Sequence, residues 1–111
     1  AVAEDPELKE AWFNLAATYY NLRRHKEAAE AFEKASELTG DDWEIELYLG
    51  RSYSYLGRHR DAIRALQKAF RNNPNEPLIA FELGVVYRLL GEDGRAQCYF
   101  HTTRKLMEQK K

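Results

Sequence analysis

Leu49 to Gly57 reads LGRSYSYLG, a run in which small residues interrupt leucines and tyrosines. It returns as LGVVYRLLG from Leu83 to Gly91 and, more loosely, as LAATYYNLR from Leu15 to Arg23. The three starts, 15, 49 and 83, are separated by 34 residues both times, so the run is one part of a repeat. Units 9–42, 43–76 and 77–110 then tile the 111-residue chain without insertion, and the whole of 1–111 reads as a single domain.

Within a unit, position 7 is Leu15, Leu49 or Leu83, position 11 is Tyr19, Tyr53 or Tyr87, and position 14 is Leu22, Leu56 or Leu90. Spacings of four and three stack these side chains on one face of a helix. A second apolar series marks a second helix: Ala28, Ala62, Ala96; then Phe32, Leu66, Phe100; then Ala35, Ala69, Thr103. Ala16, Gly50 and Gly84 leave no bulk where the two helices cross, which lets the backbones approach. The turn residues agree. Asp5 before Pro6 reads as an N-cap, Asp41 to Glu44 has the form of a capping box, and Pro77 opens the third unit. Gly57 and Gly91 sit just past a helix end, where a C-terminal cap needs positive φ. Arg23 holds that place in the first unit, so its turn is expected to be more strained or differently built. The spacing predicts six helices, near 6–22, 26–38, 42–56, 60–72, 76–90 and 94–109, and an all-α fold.

The pattern resembles the tetratricopeptide repeat family, with three repeats over nearly the whole chain. Trp12, Leu15, Tyr19, Ala28 and Phe32 carry it in the first unit; Leu49, Gly50, Tyr53, Ala62 and Pro74 in the second; Leu83, Gly84, Tyr87, Ala96 and Phe100 in the third. Gly40 in place of proline, Leu66 in place of phenylalanine, and Glu46 and Ala80 in place of tryptophan depart from it. The resemblance implies a right-handed superhelix whose concave wall, made by the first helix of each repeat, binds peptides. On that basis the wall is lined by Glu10, Phe13, Asn14, Ala17, Tyr20 and Asn21; by Glu44, Leu47, Tyr48, Arg51, Ser54 and Tyr55; and by Leu78, Phe81, Glu82, Val85, Arg88 and Leu89. The expected peptide-binding set is Phe13, Tyr20, Asn21, Leu47, Tyr48, Arg51, Tyr55, Leu78, Phe81, Glu82, Val85 and Arg88.

The residues point the same way without the family. The segment PLIAFELGVVYRLL, Pro77 to Leu90, carries only Glu82 and Arg88 as charges, and packing within the stack leaves Leu78, Phe81, Val85 and Leu89 unassigned. The plainer alternative is that Leu47, Phe81 and Leu89 seal against a neighbouring helix. Arg51 and Arg88 are placed to pair with a ligand carboxylate or carbonyl. The family's carboxylate clamp for chaperone C-terminal tails is not matched, because Phe13, Ala17, Tyr48, Leu78 and Glu82 stand where it needs lysine, asparagine and arginine.

Composition narrows the classes further. With 44% apolar and 32% charged residues and a net charge of −1, the chain is a folding one with no global pull toward nucleic acid or anionic lipid. A domain of this length buries roughly 60 to 70% of its unfolded surface. No apolar run nears the ~18 residues of a membrane span. The lone Cys98 fits a reducing, cytoplasmic setting, and the absence of an initiating methionine fits a processed or excised chain. His25, His59 and His101 lack zinc-ligand spacing, and no serine or cysteine has a histidine partner at motif spacing, so neither metal, cofactor nor catalysis is expected.

Charge is unevenly divided. Residues 1–50 carry 12 acidic and 5 basic side chains, net −7, and residues 51–111 carry 6 and 12, net +6. Solvated helix faces account for this, as would a partner or a second copy with a matching gradient. The rival to peptide binding is a self-associating scaffold, natural or engineered, with a homodimer formed through the last repeat, where Tyr99, Leu106 and Met107 want cover.

Overall fold

The computed structural model describes residues 6–39 and 42–109, so the expected cap at Asp5, Gly40 and the Asp41 part of the capping run lie outside the described residues. Its elements are α1 (Pro6–Asn21), α2 (His25–Thr39), α3 (Trp43–Tyr55), α4 (His59–Asn72), α5 (Pro77–Leu89) and α6 (Asp93–Gln109), with no strand among the described residues. They form three antiparallel pairs, each stacked on the next, giving an all-α superhelix with extents of 42 × 30 × 21 Å.

Helix starts follow local chemistry. Pro6 and Pro77 open α1 and α5, where a missing N–H costs nothing. Asp42 caps α3, its carboxylate accepting from the Glu44 amide at 3.0 Å. The three first helices stop by one device. The amides of Arg24, Arg58 and Glu92 reach back to the carbonyls of Tyr19, Tyr53 and Tyr87 at 2.9 Å each, closing a Schellman turn around a residue of positive φ. That residue is Gly57 (φ 80°) or Gly91 (φ 81°), but in the first pair it is Arg23 (φ 63°). A side chain in this region costs about 1 kcal/mol or more. Arg23→Gly is therefore expected to stabilise the protein by roughly 0.5 to 1 kcal/mol, read as a higher urea midpoint with unchanged slope. A lowered midpoint would show that the turn is not strained.

The core runs between the pairs. Phe32, Leu66, Ile79, Leu83 and Val86 are fully buried, with alanines 28, 35, 62 and 69 on the second helices letting the stack close. A Cβ on Gly50 would stand 2.6 Å from the Leu66 side chain, and one on Gly84 would stand 2.7 Å from the Phe100 ring. Both glycines therefore mark real close approach between helices. Neighbouring pairs are also tied by a repeated bond: the Tyr53 hydroxyl donates to Glu33 at 2.7 Å, and Gln67 donates to the Tyr87 hydroxyl at 3.2 Å. Glu46, at a place where the first unit has Trp12 and the third Ala80, is buried; its carboxylate accepts from the Ser36 hydroxyl and lies 3.9 Å from Lys68 Nζ.

Two expectations need correction. Leu15 aligns with the buried Leu49 and Leu83 yet is 41% exposed, because no described helix lies against that side of α1, and Leu22, like its counterpart Leu56, is exposed at the helix end. At the other end, Tyr99 already stacks on Tyr87 at 5.6 Å and Leu106 is buried, which leaves Met107 as the exposed apolar residue of the three.

Tyrosine burial sets an alkaline limit. Burial and the Glu33 hydrogen bond raise Tyr53 well above the usual phenol value, burial raises Tyr99, and burial pushes Tyr20 up to about 12. Since the folded state holds these protons more tightly than the unfolded chain, their contribution is complete below about pH 10 and is lost as pH rises through the folded values. Stability is expected to fall as pH rises above about 10, and Tyr53→Phe should flatten the slope. Urea midpoints that stay level over that range would contradict this.

Candidate functional site

The first helices α1, α3 and α5 line the concave side, and their residues at three- and four-residue spacing form its surface. A groove with two lobes runs across them. The smaller lobe, about 320 Å³, lies between Phe13, Ala17, Tyr20, Asn21, Phe32, Tyr48 and Arg51. The larger, about 640 Å³, lies between Tyr20, Arg51, Ser54, Tyr55, Phe81, Glu82, Val85 and Leu89. Tyr20 and Arg51 belong to both and form the saddle between them.

The smaller lobe is walled by interlocked rings. Phe32 stacks on Tyr48 at 5.8 Å and 11°, and Phe13 meets both edge-on at 5.9 and 6.1 Å. Tyr20 meets Tyr48 at 5.8 Å and Tyr55 at 6.0 Å, also edge-on. Behind them the His25 ring stacks on Tyr55 at 4.2 Å, so the turn histidine packs as a strut for the wall. Each such pair adds about 0.5 to 1.5 kcal/mol beyond area burial. The result is a preformed aromatic surface whose ring edges hold one another.

One ion pair crosses the groove. Arg51 Nε donates to Glu82 Oε1 at 3.0 Å, joining α3 to α5, and the guanidinium also lies over the Tyr48 ring at 5.7 Å. Burial alone would lower the Arg51 pKa, but the charge and hydrogen bond of Glu82 outweigh it and raise it. Tyr20, pushed up to about 12 chiefly by burial, keeps its proton throughout the ordinary pH range and presents a hydroxyl at the saddle. The groove floor is therefore electrically neutral, with apolar rings on either side of a paired charge.

Nine of the twelve expected residues line the two lobes: Phe13, Tyr20, Asn21, Tyr48, Arg51, Tyr55, Phe81, Glu82 and Val85. Three do not. Leu47 is 3% exposed and belongs to the core, because the middle pair is covered from both sides, whereas Phe13 and Phe81 at the same repeat position sit in the outer pairs. Leu78 and Arg88 are exposed but stand outside both lobes. Arg51, expected to pair with a ligand carboxylate or carbonyl, is already bonded through Nε to Glu82. Sequence reading missed Phe32, which comes from a second helix and floors the smaller lobe. Its signal was present, since a large ring facing Ala16 across the helix pair extends past the crossing toward the concave side. Phe81 also borders a further recess of about 500 Å³ with Phe100, Thr103, Arg104, Met107 and Glu108.

Among the described residues no helix is long and apolar enough to cross a membrane, and no group of three histidine, cysteine or acidic side chains is placed to hold a metal ion.

Comparison with known proteins fits this geometry. Two sequence models described as tetratricopeptide repeat match residues 9–42 and 47–101. The chain belongs to the tetratricopeptide repeat family. A search of curated proteins finds no match. Among solved structures, a crystal structure of MamA superposes with a TM-score of 0.88 at 24% identity, over 92% of this chain and 60% of MamA. The chain thus spans about three fifths of MamA. PcrH in complex with the chaperone binding region of PopB gives 0.87 at 22% identity, over 92% of this chain and 82% of PcrH. The Yersinia enterocolitica type III secretion chaperone SycD, in complex with a peptide of the translocator YopD, gives 0.88 at 20%, over 92% of this chain and 78% of SycD. At these identities the likeness establishes a shared tetratricopeptide fold.

Proposed function

We propose that this tetratricopeptide repeat domain is a non-catalytic protein-interaction module that takes a peptide with two or three apolar anchors in its concave groove. The observation that carries the reading is the continuity of the two aromatic lobes through the Tyr20 and Arg51 saddle. Apolar side chains of a ligand fill the lobes. Its backbone meets the Arg51–Glu82 pair, whose bond uses Nε and Oε1, so that a peptide carbonyl accepts from the terminal guanidinium nitrogens and an amide donates to the carboxylate. The solved structures of SycD and PcrH, similar in fold, hold peptide or protein segments, and this supports the same use here.

A terminal carboxylate gains little at this saddle, since Glu82 repels it and shields Arg51. With one paired arginine the groove also suits nucleic acid poorly. About micromolar affinity, near 8 kcal/mol, is the expected scale. Displaying a library of unstructured peptides and titrating the captured sequences tests it. Tyr48→Ala and Phe81→Ala are each expected to weaken binding about tenfold or more. Captured peptides whose affinity survives both changes would move the site elsewhere.

A further inference from the structure

The junction of the first and second pairs and that of the second and third are built from the same repeat positions, so each is a control for the other. At the second junction a recess of about 470 Å³ opens between α4 and the turn joining α5 to α6. Arg60, Arg64 and Arg95 surround it against one acid, Glu92, all four exposed, and its apolar lining is Ile63, Tyr87 and Leu90. One unit earlier the same positions hold Lys26, Glu30 and Asp61, with Arg58 in the place of Glu92, and Ala29, Tyr53 and Leu56 as the apolar set. A balanced set of charges has thus become three basic to one acidic, and an alanine has become an isoleucine.

We propose that this recess is a second docking site, for an acidic segment of a partner protein that seats one aliphatic side chain between the arginines. The charges select that occupant. Arg60 and Arg64 stand four apart on α4, where like charges repel, whereas Lys26 and Glu30 at the same places on α2 attract. Carboxylates brought from outside relieve that repulsion. Arg60 forms no ion pair with any described residue. Arg64 shares Asp61 with Arg58, at 3.1 and 2.9 Å, and Arg95 Nε meets Glu92 at 3.2 Å. The Arg64 and Arg95 side chains are 79% and 67% exposed, so these pairs are weak and leave guanidinium nitrogens for a ligand carboxylate.

Other polyanions fit less well. Tyr87 is buried, with Tyr99 stacked on its ring at 5.6 Å and the Arg95 guanidinium 5.7 Å from its centroid, so no ring face is offered to a nucleic-acid base. Asp61 and Glu92 interleave the arginines and oppose a continuous anionic surface such as a bilayer. The recess shares no residue with either lobe of the groove, and Tyr87 lies on the side of α5 away from Phe81 and Val85, so the two sites are independent.

Fluorescence anisotropy of the full chain with a labelled peptide of aspartates and glutamates flanking one leucine is the test. Arg60→Glu and Arg64→Glu, both at exposed positions, are each expected to weaken binding about tenfold with helical circular dichroism unchanged. Arg71→Glu makes the same change of charge about 10 Å beyond Arg64 along α4 and outside the recess, and is expected to alter affinity less than about twofold. Replacing the probe's leucine by alanine should weaken it about fivefold. Tyr48→Ala, in the groove, should leave it unchanged. A chain that fails to bind the probe at about millimolar concentration overturns the proposal. So does binding that Arg60→Glu and Arg71→Glu weaken alike, binding lost with Tyr48→Ala, or capture of phosphatidylserine vesicles or single-stranded DNA in preference to the peptide.

Discussion

Phe32→Ala is expected to lower stability by about 3 to 5 kcal/mol, a large part of the 5 to 15 kcal/mol typical of a small domain. Phe32 is fully buried, stacks on Tyr48 and receives the edge of Phe13, so truncation removes a ring that three helices share. Residues around it cannot close the cavity easily, since Ala16, Ala28 and Ala35 offer no length to fill it. The loss should also be local. In a stack where each pair touches only its neighbours, weakening the first pair leaves the last to unfold on its own terms. Hydrogen exchange should therefore accelerate most in α1 and α2 and least in α5 and α6. Because Phe32 floors the smaller lobe, peptide affinity should drop as well. A urea-derived loss below about 1 kcal/mol would mean that the ring contributes far less than its burial implies.

Gly84→Val is expected to cost about 2 to 3 kcal/mol, by the opposite mechanism. The first added carbon already stands 2.7 and 2.8 Å from two atoms of the Phe100 ring, and the two methyl groups of valine press further. Replacing glycine in a helix interior returns only a few tenths of a kcal/mol for a β-branched residue. The overlap is specific to a ring, so trimming it should relieve it: Gly84→Val with Phe100→Leu is expected to lose less than the sum of the single changes. Additive losses would place the strain elsewhere. The first pair fills the same repeat position with Ala16, fully buried, and the place of Phe100 with Phe32, also fully buried.

Most of the architecture was legible because it is periodic. The 34-residue spacing, the Schellman positions of Gly57 and Gly91 and the strained turn at Arg23 are all local or repeated properties, and the structure places each where the spacing predicts. Individual groove residues were less legible, because position within a repeat does not say which neighbours a given repeat has. Leu47, Phe13 and Phe81 share one position, yet only Leu47 is sealed on both sides. Leu15 and Leu49 share another and differ in the same way. The Arg51–Glu82 pair joins residues 31 apart, and no single-repeat pattern contains it. Phe32 was hidden by its assignment to the second helix, although a long ring reaches past the helix that carries it.

Near-identical units threaten a protein of this kind with assembly in the wrong order. Glu46 answers that hazard. It finds a hydroxyl because the unit before it supplies Ser36; the corresponding residue one unit later is Phe70, and two units later Arg104. Were α3 and α4 to dock on the wrong neighbour of a like chain, the carboxylate would be pressed on a phenyl ring and keep only Lys68 of its own pair, losing the hydroxyl bond at a cost of about 1 to 3 kcal/mol. A side chain that breaks the repeat's own pattern thus acts as an address, making the correct sequence of units the one in which this buried carboxylate meets a hydroxyl.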